Sequence, residues 1–337
     1  MLEYIHNPSA AISKRLFRLG CFSEYRAEWD HDIRTMNIVR KCLRHIHDTP
    51  KTDFLFHGFA GIEASIKLLS EFGIDEQDPH FEKCVDMLLD TPIDDAFYEK
   101  GISKIGRILE QKGHSGSKTI RAASLVLANA SYQSLVKDEI AHALECFKAV
   151  QTYETIEDFA YRKKDRWVYR EGCLFPDYYN LRLLAFSTGW RSEENRKVLR
   201  KALRTLIKLQ PLPHVYILEK GQLIAPGSYL MHEFDNDFAD CTDDRKAEWL
   251  LRNEYLARMG MADVLHITAQ CLADEDSLIE NAKKIAKSYS FKTWGSYSGV
   301  SLEENWRKEE RKVNDIAFRV GLIQYYKNEN GIAQHSS

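Results

Sequence analysis

The feature that most constrains the fold is a repeat of helix pairs. Helix ends predicted at Gly73, Asn129 and Gly189 lie 56 and 60 residues apart. Each interval holds a more apolar helical segment, a short turn and a more amphipathic one. Segments such as "GIEASIKLLSEFG" and "NRKVLRKALRTLIKL" carry apolar residues at the i, i+3, i+4 and i+7 spacing of one helix face. Runs typical of β-strands are few and short, so the sequence predicts an all-α chain.

Residues at the predicted helix ends support the same reading. Gly73 and Gly189 suit the C′ position that closes a helix, and Ser192 suits the N-cap of the next one. Ser301 with Glu304 matches the spacing of a capping box.

A second repeat predicts two short β-hairpins. The segments "WVYREGCLFPDYY" and "VYILEKGQLIAPGSY" each suggest an extended pair, around Glu171-Gly172 and around Lys220-Gly221. A proline follows each pair, at Pro176 and Pro226, 50 residues apart. Proline suits a first helical turn because its missing N–H would have no intrahelical partner there. Each hairpin is therefore expected to lead into a helix.

Helix pairs that repeat at this length pack either as an open superhelix or as a closed double ring. Open superhelices usually have shorter repeats, about 34–47 residues. The longer unit, with insertions before the apolar helix, favours a closed α/α toroid of about five or six pairs with the apolar helices inside. Because no linker rich in Pro, Gly or Ser divides the chain, we predict one domain over residues 1–330 and a tail over 331–337.

Two stretches carry a family resemblance. "FLFHGFAGIEASIKLLSEFGIDEQDPHFEKCVDMLL" and "LEQKGHSGSKTIRAASLVLANA" resemble degenerate repeats of the terpenoid-cyclase and protein-prenyltransferase toroids. The resemblance implies the toroid fold and leaves the activity open. The family's DxDD motif is missing, and only Asp94-Asp95 is present in its place. The segment "QKGHSGS" lacks the tryptophan of the family's Gln-to-Trp repeat. No DxC segment matches the zinc ligands of the prenyltransferases.

Charge and cysteine content narrow the function. A net charge of −3 and a pI near 6.5 argue against nucleic acid or an anionic membrane as a partner. The sequence shows no signal peptide and no membrane span. Seven scattered cysteines without a CxxC pair argue against a disulfide framework and a zinc site. We therefore expect a cytoplasmic protein with no cofactor and a small molecule as its partner.

Candidate ligand-binding residues cluster where the inner helices are predicted to begin. Such ends present free N–H groups and the positive end of the helix dipole, which favour anions. In a closed toroid these helix ends would line the mouth of a central cavity. The alternative to ligand binding is structural: the glycines would end turns, and the aromatic side chains would fill the centre of the toroid. The residues concerned are His57, His114, Asp177, Tyr178, Tyr179, Tyr229, His232, Trp294 and Tyr297.

Two arginines fall within predicted apolar helix faces. A buried guanidinium needs a partner, because burying an isolated charge is very costly. Arg319 follows Asp315 by four positions, so it is predicted either to form a structural ion pair with Asp315 or to bind a ligand. Arg182 follows Tyr178 by four positions and has no well-placed local acid. It is predicted either to bind a ligand anion or to tie two repeats together.

The acidic segment "MHEFDNDFADCTDD" is ambiguous. Its six carboxylates could hold a metal ion, but Asp243 and Asp244 more simply begin a helix, where negative charge offsets the dipole. His232 with Asp235 could transfer a proton or serve a structural role. No dinucleotide-binding, P-loop, GxSxG or HExxH motif occurs.

These observations predict an enzyme with a central cavity. We expect lyase, isomerase or cyclase chemistry on a small hydrophobic or aromatic substrate with an acidic group. Arg182 and Arg319 would hold the acid, aromatic side chains would line the cavity, and a proton would be moved by His57, His114, His232 or Asp235. The alternative is a non-catalytic helical scaffold that binds nucleic acid or protein through "YRKKDRWVYR" and "NRKVLRKALRTLIK".

Overall fold

The computed structural model describes residues 5–48, 61–74, 77–99, 102–227, 231–232, 234, 241–242, 245–264, 283 and 299–335. Contacts between Cα atoms divide the chain into two compact units. The first unit comprises residues 1–88 and 237–337, and the second comprises residues 89–236. The single domain inferred from the sequence stays a prediction.

The secondary-structure elements described in the first unit are all helices. Packed pairs include α1 with α2, α2 with α3, α3 with α4, and α12 with the long helix α13. The helices are α1 (Ala10–Arg18), α2 (Glu28–Thr35), α3 (Asn37–Asp48), α4 (Ile62–Glu71), α5 (Pro79–Asp90, which crosses the boundary at residue 88), α12 (Lys246–Arg258) and α13 (Glu309–His335).

The second unit contains the remaining helices and all the described strands. Its elements are α6 (Asp95–Tyr98), α7 (Ser103–Gln111), α8 (Ser117–Leu125), α9 (Ser134–Val150), β1 (Ala160–Lys163), β2 (Arg166–Tyr169), α10 (Tyr178–Ala185), α11 (Glu193–Lys208), β3 (Val215–Glu219) and β4 (Gln222–Ile224). Thirteen α-helices in all are described, so the prediction of a mainly helical chain is confirmed.

The predicted division into apolar and amphipathic helices holds for the second unit. All eight residues of α10 are buried, and so are eight of the nine residues of α8. Helices α9 and α11 each bury one face and expose the other, since Leu199, Ala202, Leu203 and Leu206 are the buried residues of α11. Helix α8 packs on α10, and α9 packs on α11. In two successive helix pairs, the buried helices α8 and α10 therefore pack against each other, and so do the amphipathic helices α9 and α11.

The prediction of two hairpins is confirmed, but an all-α chain is not. The strands form one mixed sheet in the order β1-β2-β3-β4, in which β2 and β3 pair in parallel. The second hairpin turns at Lys220-Gly221, as expected. The first turns at Lys164-Asp165, so its predicted turn at Glu171-Gly172 is wrong. Parallel pairing between distant hairpins is a long-range contact, and no local pattern encodes it.

Several predicted helix ends are also tested. Gly73, with a φ of 74°, and Asn129, with a φ of 54°, adopt the left-handed conformation expected at a helix end, and Ser192 caps α11. Gly189 does not close α10, which ends at Ala185. Side chains close this turn instead, because Trp190 Nε1 donates to the carbonyl oxygens of Leu184 and Ser187 at 2.9 and 3.0 Å.

Two other predicted helix starts differ from the structure. No helix begins at Ser301, whose hydroxyl donates to the Glu303 carbonyl at 2.7 Å, and α13 starts only at Glu309. Pro176 lies just before the N-cap of α10 rather than in its first turn, because Asp177 takes the cap position.

Within the described part of the chain, no helix combines the length and the apolar character needed to cross a lipid bilayer.

Candidate functional site at the first turn of helix α10

Helix α10 begins at a reciprocal cap made by two buried side chains. Asp177 Oδ1 accepts hydrogen bonds from the backbone N–H groups of Tyr179 at 2.9 Å and Asn180 at 3.2 Å. In return, the N–H of Asp177 donates to Asn180 Oδ1 at 3.0 Å. Aspartate is among the best N-cap residues because its short carboxylate reaches these otherwise unsatisfied donors. The cap fixes both side chains at the helix end.

Two other segments of the second unit meet this cap. The Ser115 hydroxyl, just before α8, donates to Asp177 Oδ1 at 2.8 Å. The N–H of Tyr178 donates to the Gly227 carbonyl at 2.9 Å, and a Cβ on Gly227 would lie 3.9 Å from Asp177 Cγ. The cap is therefore enclosed by chain that precedes α8 and by chain that follows β4.

Two polar atoms of this cap remain unsatisfied. Asp177 Oδ2 and Asn180 Nδ2 are buried and have no hydrogen-bond partner among the described residues, although each side chain is only 1% exposed. A buried polar atom without a partner costs about 1–3 kcal/mol. An atom of this kind in a native structure needs an explanation, and a water, an ion or a ligand that supplies the missing partner is one.

The protonation of Asp177 follows from its surroundings. Burial raises the pKa of its carboxyl, and this outweighs the opposing effect of the Ser115 hydroxyl, the two helix N–H groups and the charge of His142. A neutral carboxyl carries its proton on the oxygen that accepts no hydrogen bond, which is Oδ2. With a proton on Asp177 Oδ2, this oxygen and Asn180 Nδ2 would be two neutral hydrogen-bond donors on one helical turn.

Two histidines lie near this turn. His114 is buried and contacts the ring of Tyr169 at a tilt of 51°, with 4.6 Å between ring centroids. Burial, aided by the charge of His142, lowers the pKa of His114 to about 4, so its imidazole is neutral at physiological pH. His142, on α9, interacts electrostatically with both His114 and Asp177.

The neighbouring thiol is not poised for nucleophilic attack. Cys146 Sγ lies 3.7 Å from His142 Nε2. Burial raises the pKa of the Cys146 thiol, so it stays protonated at neutral pH.

Arg182 links helix α10 to helix α8. It is fully buried, and its guanidinium donates to the Tyr178 hydroxyl at 3.2 Å and to the Ser124 hydroxyl of α8 at 3.4 Å. Its Cζ also lies 5.3 Å from the ring centroids of both Tyr178 and Tyr179. The predicted shared face with Tyr178 is confirmed, and the contact with Ser124 ties α10 to α8.

Arg319 belongs to the first unit and forms the ion pair with Asp315, which was one of the two roles predicted for it. Its Nε donates to Asp315 Oδ1 at 3.1 Å, and its Nη2 donates to the Val300 carbonyl. Asp315 Oδ2 accepts from the N–H of Leu302 at 2.8 Å and from Trp306 Nε1 at 3.0 Å. This carboxylate therefore holds the segment before α13 to the helix.

The other predicted site residues are His232, which the structure describes, and five residues that lie outside its described part. His232 is buried and meets the ring of His214 edge-on at 4.8 Å. His57, Tyr229, Asp235, Trp294 and Tyr297 lie outside the described residues, and so do the acids Asp243 and Asp244.

Sequence reasoning found Asp177 and missed three residues that act with it. Asn180 could have been found, because "DYYN" has the spacing of a capping box. Ser115 and His142 carry no local signal, since only the packing of α8, α9 and α10 brings them to the cap.

Among the described residues, no group of three or more His, Cys, Asp or Glu side chains could hold a metal ion. Comparison of the chain with protein-family models, with curated proteins and with solved structures finds no match.

Proposed function

We propose that the protein is an enzyme of lyase, isomerase or cyclase type that acts on a small hydrophobic or aromatic substrate with an acidic group. The first turn of α10 would bind a carbonyl or carboxyl oxygen of that substrate. The observation that carries the proposal is Asp177, a buried carboxyl with a raised pKa whose Oδ2 has no hydrogen-bond partner among the described residues.

The chemistry follows from the character of the two donors. A neutral carboxylic acid and an amide N–H both donate to oxygen, and neither adds charge to the ground state. When negative charge develops on a substrate oxygen, such donors stabilise it strongly, because the site is dry and already organised. Loss of one such donor typically lowers kcat by about 10²–10³-fold. A carboxyl held neutral by an apolar site is well suited to this work.

His142 is assigned the proton transfer. It interacts electrostatically with Asp177 and lies on α9, which packs on both α8 and α10. His114 is given a positioning role instead, because its lowered pKa makes it a weak base near neutral pH. This proposal moves proton transfer away from the histidines favoured by the sequence.

The finer fold interpretation is part of the same proposal. Inner helices α8 and α10 are buried on all sides and begin next to each other at Ser115 and Asp177. This arrangement supports an α/α toroid that binds its ligand where the inner helices begin. The similarity to terpenoid-cyclase toroids remains a hypothesis about ancestry.

Binding of small aromatic carboxylates tests the proposal. Benzoate, cinnamate and 3-phenylpropionate would be titrated into the full chain by ligand-observed NMR. Asp177→Ser keeps a hydroxyl acceptor at the cap but removes Oδ2 and its proton, and we expect it to weaken binding of the best probe at least tenfold. Asp94 caps α6 and is the matched control, since its side chain accepts from the Phe97 N–H at 2.8 Å and is exposed. Equal binding by wild type and Asp177→Ser, or no binding of any probe, contradicts the proposal.

A further inference from the structure

We propose that the solvent-facing side of the four-stranded sheet binds single-stranded nucleic acid. This surface is part of the second unit and does not depend on the chemistry assigned to Asp177. We call it the tyrosine face, defined by Tyr161, Lys163, Arg166, Tyr216, Leu218 and Leu223.

The strand register places these residues on one side of the sheet. Tyr161 pairs with Val168 and Val168 pairs with Tyr216, so the three side chains form one row across β1, β2 and β3. Lys163 pairs with Arg166 two positions along, and Leu218 pairs with Leu223 at the other end. The row of rings therefore has a basic end and an apolar end.

The opposite side of the sheet faces the interior. Ala160, Tyr169, Val215 and Ile217 point to that side and are all buried. On the tyrosine face, Tyr161 is 37% exposed and Leu223 is 44% exposed. Lys163 and Arg166 are exposed as well. Val168, between the two tyrosines, is buried, and Tyr216 is half-buried. The part of the face that is open to solvent therefore consists of Tyr161, Lys163, Arg166 and Leu223.

Local charge matches an anionic polymer. The segment 161–166 carries four cations against the single carboxylate of Asp165. Lys163 and Arg166 lie on the tyrosine face and Lys164 lies in the turn, whereas Arg162, which pairs with Trp167, points to the opposite side. All six side chains of the segment are exposed. The net charge of −3 for the whole chain, which argued against nucleic acid, conceals this concentration.

The first hairpin turn has a lysine in a backbone conformation that is unfavourable for this residue. Lys164 has a φ of 56°, a left-handed conformation that glycine or asparagine adopts at lower cost. Lys220 has a φ of 48° in the second hairpin turn. The two turns lie at opposite ends of the parallel pair β2 and β3, so Lys164 lies at the basic end of the face and Lys220 follows its apolar end.

The mixture of rings and cations favours nucleic acid over an acidic polypeptide. Bases stack on exposed aromatic rings while phosphates pair with Lys and Arg, and single-strand binders combine both features on one surface. The Arg166 guanidinium already lies 5.8 Å from the Tyr216 ring centroid, which adds a second flat surface for a base. Carboxylates of a peptide would use the cations and leave the rings without a role.

Fluorescence anisotropy with a 5′-labelled 12-nucleotide oligo(U) tests the proposal on the full chain. Loss of two cations in Lys163→Ser/Arg166→Ser should weaken binding at least tenfold and reduce the slope of log K against log salt by about 1.4. Tyr161→Leu keeps apolar area but removes the ring, and we expect a loss of about tenfold.

The matched control removes two exposed cations from α11. Lys197→Ser/Lys201→Ser changes the net charge equally, and both residues are exposed, so it should alter affinity less than threefold. The proposal is overturned if both double variants weaken binding equally or if Tyr161→Leu has no effect. Equally tight binding of a labelled 12-residue oligo-glutamate would overturn it too and would identify a general site for acidic polymers. A test of Asp177→Ser in the same assay separates the two proposals, because that variant should bind oligo(U) normally.

Discussion

Asp177 and Asn180 cap helix α10 reciprocally, with the Asp177 N–H donating to Asn180 Oδ1 at 3.0 Å and the Asn180 N–H donating to Asp177 Oδ1 at 3.2 Å. The exchange uses one oxygen of each side chain. It leaves Asp177 Oδ2 and Asn180 Nδ2 buried without a hydrogen bond among the described residues. A helix cap and a candidate oxygen-binding site are therefore made by the same two side chains.

The raised pKa of Asp177 should make stability depend on pH. The unfolded carboxyl titrates near 3.8, so above that pH the native state binds more protons than the unfolded state. The stabilising contribution of this group is complete below about pH 3.8 and is lost as the pH rises through the native pKa. Asp177→Asn should become more stable relative to wild type as the pH rises from 4 to 7, measured by urea denaturation. A constant difference across this range would contradict a raised pKa.

The lowered pKa of His114 predicts the opposite trend. The unfolded imidazole titrates near 6.5 and the native one near 4, so the contribution is complete above pH 6.5 and is lost as the pH falls to 4. Wild type should lose about 2–3 kcal/mol over this interval. His114→Gln removes this titration and should lose correspondingly less. His31, which is exposed, provides the control variant His31→Gln, expected to follow wild type.

Removing Arg319 should destabilise the first unit strongly. Asp315 is fully buried, and Arg319→Met would leave its carboxylate without a counter-charge from this pair. We expect a loss of about 3–5 kcal/mol in the free energy of unfolding. The double variant Arg319→Met/Asp315→Asn should recover part of it. Lys197→Met breaks the exposed pair with Glu193 at 3.9 Å and should cost under about 0.5 kcal/mol. Similar losses for both single variants would contradict the prediction.

Two glycines should respond differently to alanine. A Cβ on Gly116 would overlap the Gly106 carbonyl and lie 2.6 Å from Glu110 Cγ, whereas a Cβ on Gly189 meets no atom within 4 Å. Gly116→Ala should therefore cost about 1–3 kcal/mol, because α7 and α8 cannot separate without losing their packing. Gly189→Ala should be neutral or stabilising by about 0.4–1 kcal/mol. Thermal or chemical denaturation measures the stability of both variants. Destabilisation by Gly189→Ala would contradict this expectation and would support the predicted role of Gly189 in closing a helix.

The sequence alone determined the features that depend on neighbours along the chain. Helical spacing predicted α4, α8 and α11. The ends after α4 at Gly73 and after α8 at Asn129 were predicted because these residues adopt the left-handed conformation at low cost. The four-residue spacing also predicted that Arg182 contacts Tyr178 and that Arg319 pairs with Asp315. In each case the interacting groups lie within one helical turn.

Only the tertiary structure decided the features that join distant segments. Ser115 reaches Asp177 across 62 positions, and β2 pairs with β3 although α10 and α11 lie between them. The protonation of Asp177 and His114 also depends on the fold, because burial is the leading cause of each pKa shift. Burial is set by how whole helices pack together. A residue type and its near neighbours therefore fix a cap or an ion pair, but not the environment that turns a cap into a candidate site.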